Sequence, residues 1–226
     1  MANIRLIACS PSLFPAYVAG KACRDAEIIH RISTSVTEEQ MAAWLTTHII
    51  GAGHWGILEH LSVTLMAGGI SRTASHQLVR HRVASYAQLS GREGRGTRTV
   101  CPPSIRDNVA ARLVFNTIDA HAHVAYEELI SLGVPAEDAR FILPTGQATN
   151  VVMTLNGRAL IEVARKRLCS RAQWEIRALF TCIARVLHAE GGPVGQLLAT
   201  QMGPPCQFGA CPERQSCGGP TWVTFS

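Results

Sequence analysis

What most constrains this chain is the order in which its hydrophobic periods change. A strand-like run, HLSVTLMAGG, passes at once into helix-compatible spacing in ISRTASHQLVRHR. A second strand-like run, TNVVMTL, returns only after a long helical stretch. Alternation at a period of two marks strands, and recurrence at three to four marks helices. The two kinds are interspersed without a regular strand–helix–strand rhythm, which predicts α+β rather than a doubly wound sheet. No internal repeat is visible.

The punctuation sharpens this. MANIRLIACS reads as a first strand and lacks the long apolar stretch of a signal peptide. STSVTEEQMAAWLTTHIIGAG opens with a capping box at Ser35 and Glu38 and closes at Gly51, so a helix is expected there. Residues 93–104, EGRGTRTVCPPS, are a loop by composition. A long helix is expected from Ile105 to about Leu132, stopped by Gly133, with Pro135 starting a short one. The stretch from Asn156 to Gly192 reads as two helices meeting near Cys169 to Arg171.

With 226 residues, 47% hydrophobic and 16% charged, the chain is globular and suits a single domain, 1–226, with a Cys/Pro/Gly-rich tail at 203–226. No apolar run reaches the roughly 18 residues of a membrane span. No membrane partner and a cytoplasmic location are expected. Cys9, Cys23, Cys101, Cys169 and Cys182 are scattered among apolar segments, where a reduced cysteine is a small hydrophobe. Cys206, Cys211 and Cys217 crowd the tail, but lack a Cys-x-x-Cys pair or a tail histidine, so no metal is expected there.

The basic residues carry the chemistry. Lysine stands only at 21 and 166, so the other 19 basic residues are arginine, whose planar fork suits phosphate. Base composition accounts for the total, but not for the local clusters. RHRVASYAQLSGR, residues 80–92, has no acid near it between Glu59 and Glu93. If residues 72–82 are helical, Gln77 and Arg80 share a face while His81 and Arg82 point elsewhere. Ser85, Gln88 and Ser90 add short donors and acceptors suited to a base or sugar. A second cluster, Arg158, Arg165, Arg167 and Arg171, cannot lie on one helical stripe. With Arg140, the clusters point to a substrate and a cofactor that both carry phosphates. Neither a Rossmann nor a Walker fingerprint accounts for them.

Arg80-His81-Arg82, then seven residues, Ser90, one residue and Arg92 resembles the signature of the flavin-dependent thymidylate synthases. GHWGILEHLSVTLMAGGISRTASHQLVRHR, EDARFILP, NGRAL and RAQWEIRAL resemble further blocks of that family, over about 50–217. The resemblance implies a mainly antiparallel central sheet flanked by long helices. It implies a homotetramer with active sites at subunit interfaces. Such enzymes bind FAD and move a one-carbon unit from 5,10-methylenetetrahydrofolate to C5 of dUMP, with NADPH reducing the flavin. It implies that Arg80, His81, Arg82, Gln88, Asn156, Arg158 and Glu162 form the flavin pocket, with His54 and Glu59 on the flavin side. Gln77, Arg80, Gln88, Ser90, Arg92, Arg140 and Arg167 would surround the nucleotide. Arg167 would be the catalytic residue, stabilising negative charge on the uracil ring while keeping its own proton.

Glu93 stands where the family usually has tyrosine, and Glu162 where it usually has Asn or His. The altered loop points to a nucleoside-antibiotic UMP methylase branch, and to UMP being accepted at least as readily as dUMP. Two other classes remain open. One is a basic nucleic-acid binder, against which stands an aromatic content of 6% with no stacking pattern beside the arginines. The other is a flavoprotein that binds nucleotide without turning over.

Overall fold

The computed structural model describes residues 3–91 and 98–219. In chain order it contains β1 (Asn3–Cys9), α1 (Phe14–Ala22), α2 (Ile28–Arg31), α3 (Glu38–Leu45), β2 (Ser62–Ser71), α4 (Arg72–Leu78) and β3 (Ser85–Gln88). There follow α5 (Pro103–Arg106), α6 (Val109–Ser131), α7 (Ala136–Ala139), β4 (Ala148–Asn156), α8 (Gly157–Arg167), α9 (Trp174–Glu190) and α10 (Gly192–Thr200). The four strands make one antiparallel sheet in the order β1-β2-β4-β3, so the fold is α+β as the pattern predicts. No helix among the described residues is long and apolar enough to cross a membrane.

The strands obey their period. Val63, Leu65 and Ala67 of β2 are buried, as are Thr149, Val151, Met153 and Leu155 of β4. The intervening Thr64 and Thr154 hydroxyls meet across the two strands at 3.0 Å. The described residues form two compact units. One comprises Asn3, Ala67–Arg80 and the described part of Ala87–Val151; the other comprises Ile4–Met66, His81–Tyr86 and the described part of Val152–Ser226.

The second unit is built on α8, α9 and α10. Leu160, Ile161 and Ala164 of α8, Ile176, Leu179, Phe180, Ile183 and Leu187 of α9, and Val194 and Leu198 of α10 are all buried. Each set recurs at three to four residues, so one face of each helix supplies the core. In the first unit Ile70, Ala74, Leu78, Ala139 and Val151 are buried, whereas no residue of α6 is fully buried.

Several boundaries differ from expectation for identifiable reasons. The capping box is Thr37 with Gln40: Thr37 Oγ1 accepts the Gln40 N–H at 3.3 Å, and Gln40 Oε1 accepts the Thr37 N–H at 3.0 Å. Glu38 is drawn away to the Leu13 N–H at 3.0 Å, which displaces the box from Ser35. The helix after β2 stops at Leu78 instead of reaching 82. Leu78 is its last buried position, and Val79, Arg80 and Arg82 are exposed, so no apolar face holds another turn. The expected helix from Ile105 to Leu132 is two helices, because Asn108 Oδ1 accepts the Ala111 N–H at 3.1 Å and restarts the turn at α6. The two helices α8 and α9 do meet between Leu168 and Gln173, and Pro135 does cap α7. None of the eight cysteines is fully buried: Cys23 and Cys217 are exposed and the rest half-buried, so the small-hydrophobe reading of the five scattered ones holds only in part.

Candidate active site

In the first unit, β2 ends at Ser71, whose hydroxyl accepts the Ala74 N–H at 2.9 Å and starts α4. That cap sets Arg72 on the first turn and Gln77 on the last. Both line an open cavity of about 510 Å³, together with His76, Gly91 and Arg140. A methyl group placed on Gly91 would stand 3.1 Å from Arg140 Nη1 and 3.1 Å from Arg72 Nη2. Two guanidinium groups therefore converge on one glycine, where a third heavy group would crowd them. Arg140 Nε donates to the Glu137 carbonyl at 3.0 Å, and Arg72 Nη2 to the Leu89 carbonyl at 3.3 Å, which fixes both forks. Two fixed forks beside an amide side chain suit an anionic group attached to a hydrogen-bonding ring.

In the second unit, α8 begins hard against the 3₁₀ turn Trp55–His60. A side chain on Gly157 would come 2.8 Å from the Leu58 carbonyl, so only glycine permits this approach. The approach sets Arg158 beside Glu59, with Arg158 Nη1 donating to Glu59 Oε1 at 3.0 Å and Nε to Glu162 Oε1 at 2.8 Å. The two carboxylates push the Arg158 guanidinium further up. His54, Trp55, Arg158 and Glu162 line a cavity of about 500 Å³ with Arg24 and the apolar Ile49 and Ile57. That volume lies within the roughly 300–1,000 Å³ of ordinary ligand pockets. Arg24, the Arg158–Glu162 ion pair and an apolar floor walled by Trp55 could together hold a planar heteroaromatic ring.

The same unit pairs His81 with Arg167. Arg167 Nε donates to His81 Nε2 at 2.9 Å, which requires that nitrogen to be unprotonated. Burial, then the nearby charges of Arg167 and Lys166, bring the His81 pKa down from 6.5 to about 4. Tyr86 donates its hydroxyl to the His81 carbonyl at 3.2 Å, so the backbone is held as well as the ring. Burial pushes the Tyr86 phenol up, with Arg167 acting against it.

A model of the family described as Thymidylate synthase complementing protein matches residues 5–190. A flavin-dependent thymidylate synthase of Geobacter sulfurreducens is 40% identical over 206 residues, covering 89% of this chain and 87% of that protein. One from Nitratidesulfovibrio vulgaris is 36% identical over 235 residues, covering 96% and 94%. Another, from Pyrococcus furiosus, is 38% identical over 195 residues, covering 83% and 78%. This chain belongs to the flavin-dependent thymidylate synthases.

It is accordingly an enzyme. The residues singled out by resemblance to the flavin-dependent thymidylate synthases fall into groups. Gln77 and Arg140 share the first unit's cavity; His54, Arg158 and Glu162 share the second unit's, with Glu59 on Arg158. His81 and Arg167 form their own pair. Gln88 donates Nε2 to the Ser75 hydroxyl at 3.0 Å and the Thr149 hydroxyl at 3.4 Å. Asn156 caps α8, its Oδ1 accepting the Ala159 N–H at 2.8 Å. Arg80, Arg82 and Ser90 are exposed. Arg92 and the departure at Glu93 lie outside the described residues.

Arg24, Trp55 and Arg72 line the two cavities without having been singled out in the sequence. The signal was available for Arg72, as the first residue of a helix that leaves a strand. The tail cysteines 206, 211 and 217 line a smaller cavity of about 190 Å³ with Cys169, from the turn between α8 and α9, a fourth thiol that linear spacing conceals.

Proposed function

We propose that this chain methylates C5 of the uracil of dUMP, with FAD as cofactor, 5,10-methylenetetrahydrofolate as carbon donor and NADPH as reductant. The observation that carries the reading is the convergence of Arg72 and Arg140 on Gly91 beside Gln77, in a chain of this family. Arg72 and Arg140 hold the nucleotide phosphate bidentately, and Gln77 faces the base or sugar. Arg80, Gln88, Ser90 and Arg92 complete the nucleotide site.

What supports a flavin in the cavity at His54 and Arg158 is its apolar floor walled by Trp55, with Arg24 and the Arg158–Glu162 ion pair also lining it. His54, Glu59, Arg80, His81, Arg82, Gln88, Asn156, Arg158 and Glu162 hold it in this reading. When bound, the reduced flavin supplies the hydride. Arg167 stabilises the negative charge that develops on the uracil ring, and it gives up no proton because a guanidinium stays charged. Neutral His81 accepts from Arg167 Nε and so fixes the plane in which the fork can act. Its low pKa keeps it an acceptor at neutral pH.

The whole chain serves as one methylase domain in the cytoplasm, where its free cysteines stay reduced. The subunits assemble as a homotetramer, and the exposed apolar face of α6 supports an assembly. The relatives' printed name favours the deoxynucleotide; the ribonucleotide expectation rests on Glu93, outside the described residues.

The test is incubation with FAD, NADPH, 5,10-methylenetetrahydrofolate and an equal mixture of UMP and dUMP, with products identified by mass. Methylated dUMP in excess is the expected result. Methylated UMP in excess assigns the enzyme to ribonucleotides. No methylated product, with no substrate-dependent oxidation of reduced flavin, overturns the reading.

A further inference from the structure

Arg165 is the one residue among those described with a buried side-chain nitrogen, Nε, that has no hydrogen-bond partner. A charged group is not ordinarily left so. What surrounds it instead is aromatic. Its guanidinium carbon lies 4.5 Å from the centre of the Trp55 ring and 4.3 Å from that of Phe208. A guanidinium is weakly hydrated and lies flat on π-faces, so two rings can take the place of its missing partner.

The three residues come from distant parts of the chain. Arg165 lies seven residues after Arg158 on α8, on the same stripe, with Glu162 between them. This stripe faces the turn that carries Trp55 and Glu59, since Arg158 binds Glu59 there. Trp55 is a wall of the cavity that His54 and Arg158 also line. Phe208 follows the 3₁₀ turn Pro205–Gln207 and lies outside that cavity's lining. A methyl group on Gly203 would meet Phe208 Cε2 at 3.1 Å and Gln207 Oε1 at 2.2 Å, so the 203–208 segment is folded tightly on itself. Phe208 is nonetheless 39% exposed, so its ring adds little to the core.

We propose that Phe208 and Arg165 are positioning residues for the cofactor cavity: the segment at 203–208 presses its ring on Arg165, and Arg165 holds the Trp55 indole in place as the cavity wall. This rests on the flavin reading of that cavity. Neither residue needs to touch the cofactor. An indole that has lost its cation can turn about its side-chain torsions, and a wall that must be ordered again on binding weakens the ligand by that cost.

The experiment measures the flavin dissociation constant of Phe208→Ala, Phe208→Leu and Phe208→Tyr by flavin fluorescence, with the thermal midpoint and the Trp55 indole N–H resonance, assigned with Trp55→Phe, followed in parallel. Phe208→Ala and Phe208→Leu are expected to bind flavin roughly ten-fold more weakly and to shift that resonance, at an unchanged thermal midpoint. Phe208→Tyr, which keeps the π-face, is expected to restore both. Leucine keeps the apolar bulk, so a full return of affinity in Phe208→Leu overturns the π-face argument. Affinity within two-fold of the unaltered chain in Phe208→Ala overturns the proposal. Arg158→Ala separates the two readings. If it weakens flavin and Phe208→Ala does not, only the positioning role fails. If neither weakens it, the cavity is not the flavin site and both readings fail.

Discussion

Arg167 Nε and His81 Nε2 stand 2.9 Å apart, a permanent cation donating to a ring that must stay neutral to receive it. Because burial, Arg167 and Lys166 lower the folded pKa of His81 from 6.5 to about 4, the unfolded chain takes up the proton first as pH falls. The unfolded state therefore binds more protons between those two values, and stability falls with pH across that window. Above about 6.5 this loss is absent, and below about 4 it is complete. In His81→Gln the amide oxygen can still accept from Arg167, yet nothing titrates. The thermal midpoint of the unaltered chain is expected to fall more steeply from pH 6.5 to 4 than that of His81→Gln. Parallel curves would remove the pair from the pH dependence.

Arg167→Lys tests the other partner. Lysine keeps the charge but has no planar fork, so it cannot both donate to His81 and face a uracil edge. Loss of one preorganised donor costs about 3 to 4 kcal/mol, or several hundred-fold in rate. Turnover is expected to fall by that order while flavin remains bound, read from single-turnover kinetics and flavin absorbance. Turnover within two-fold of the unaltered enzyme would dismiss Arg167 as the catalytic residue.

Asn156 offers a separation of structure from function. Its Oδ1 satisfies the Ala159 N–H at the start of α8, the helix that carries both Arg158 and Arg167. Asn156→Ala removes that acceptor and is expected to cost about 1 kcal/mol of stability. Asn156→Asp and Asn156→Ser keep an acceptor and are expected to lose less than half of this in urea unfolding. If Asn156→Ser loses flavin at full stability, the side chain serves the ligand and not only the helix.

The strand β2 was legible because Val63 and Leu65 alternate with Ser62 and Thr64 ahead of two glycines, a local signal. The end of α4 was not, since ISRTASHQLVRHR keeps helical spacing while its apolar support ends at Leu78, and support is a tertiary fact. Glu38 has the right offset from Ser35 for a capping box, but Leu13 claims it from twenty-five residues away. At the site, His54, Glu59, Arg158 and Glu162 were readable as a set through resemblance. The Arg165 contacts with Trp55 and Phe208 were not, because no local period links three such distant segments.

Val109, Leu113 and Ile118 of α6 are 72%, 69% and 63% exposed, and none of the helix's 23 residues is fully buried. Val114, Phe115 and Ile118 further border an apolar cavity of about 470 Å³ with Ile105. Exposed apolar side chains in this number suit a subunit contact, and in the symmetric assembly proposed above one substitution changes every copy of it. Burying an isoleucine side chain contributes about 1.5 to 3 kcal/mol, and a carboxylate in its place adds a desolvation cost. Ile118→Glu, alone or with Leu113→Glu, is therefore expected to shift sedimentation at micromolar concentration toward smaller species. The single chain should keep its far-ultraviolet circular dichroism, since neither side chain supports its own fold. On the proposed assembly the smaller species are also expected to lose flavin absorbance. A monomer that still carries stoichiometric FAD would place the whole flavin site within one chain.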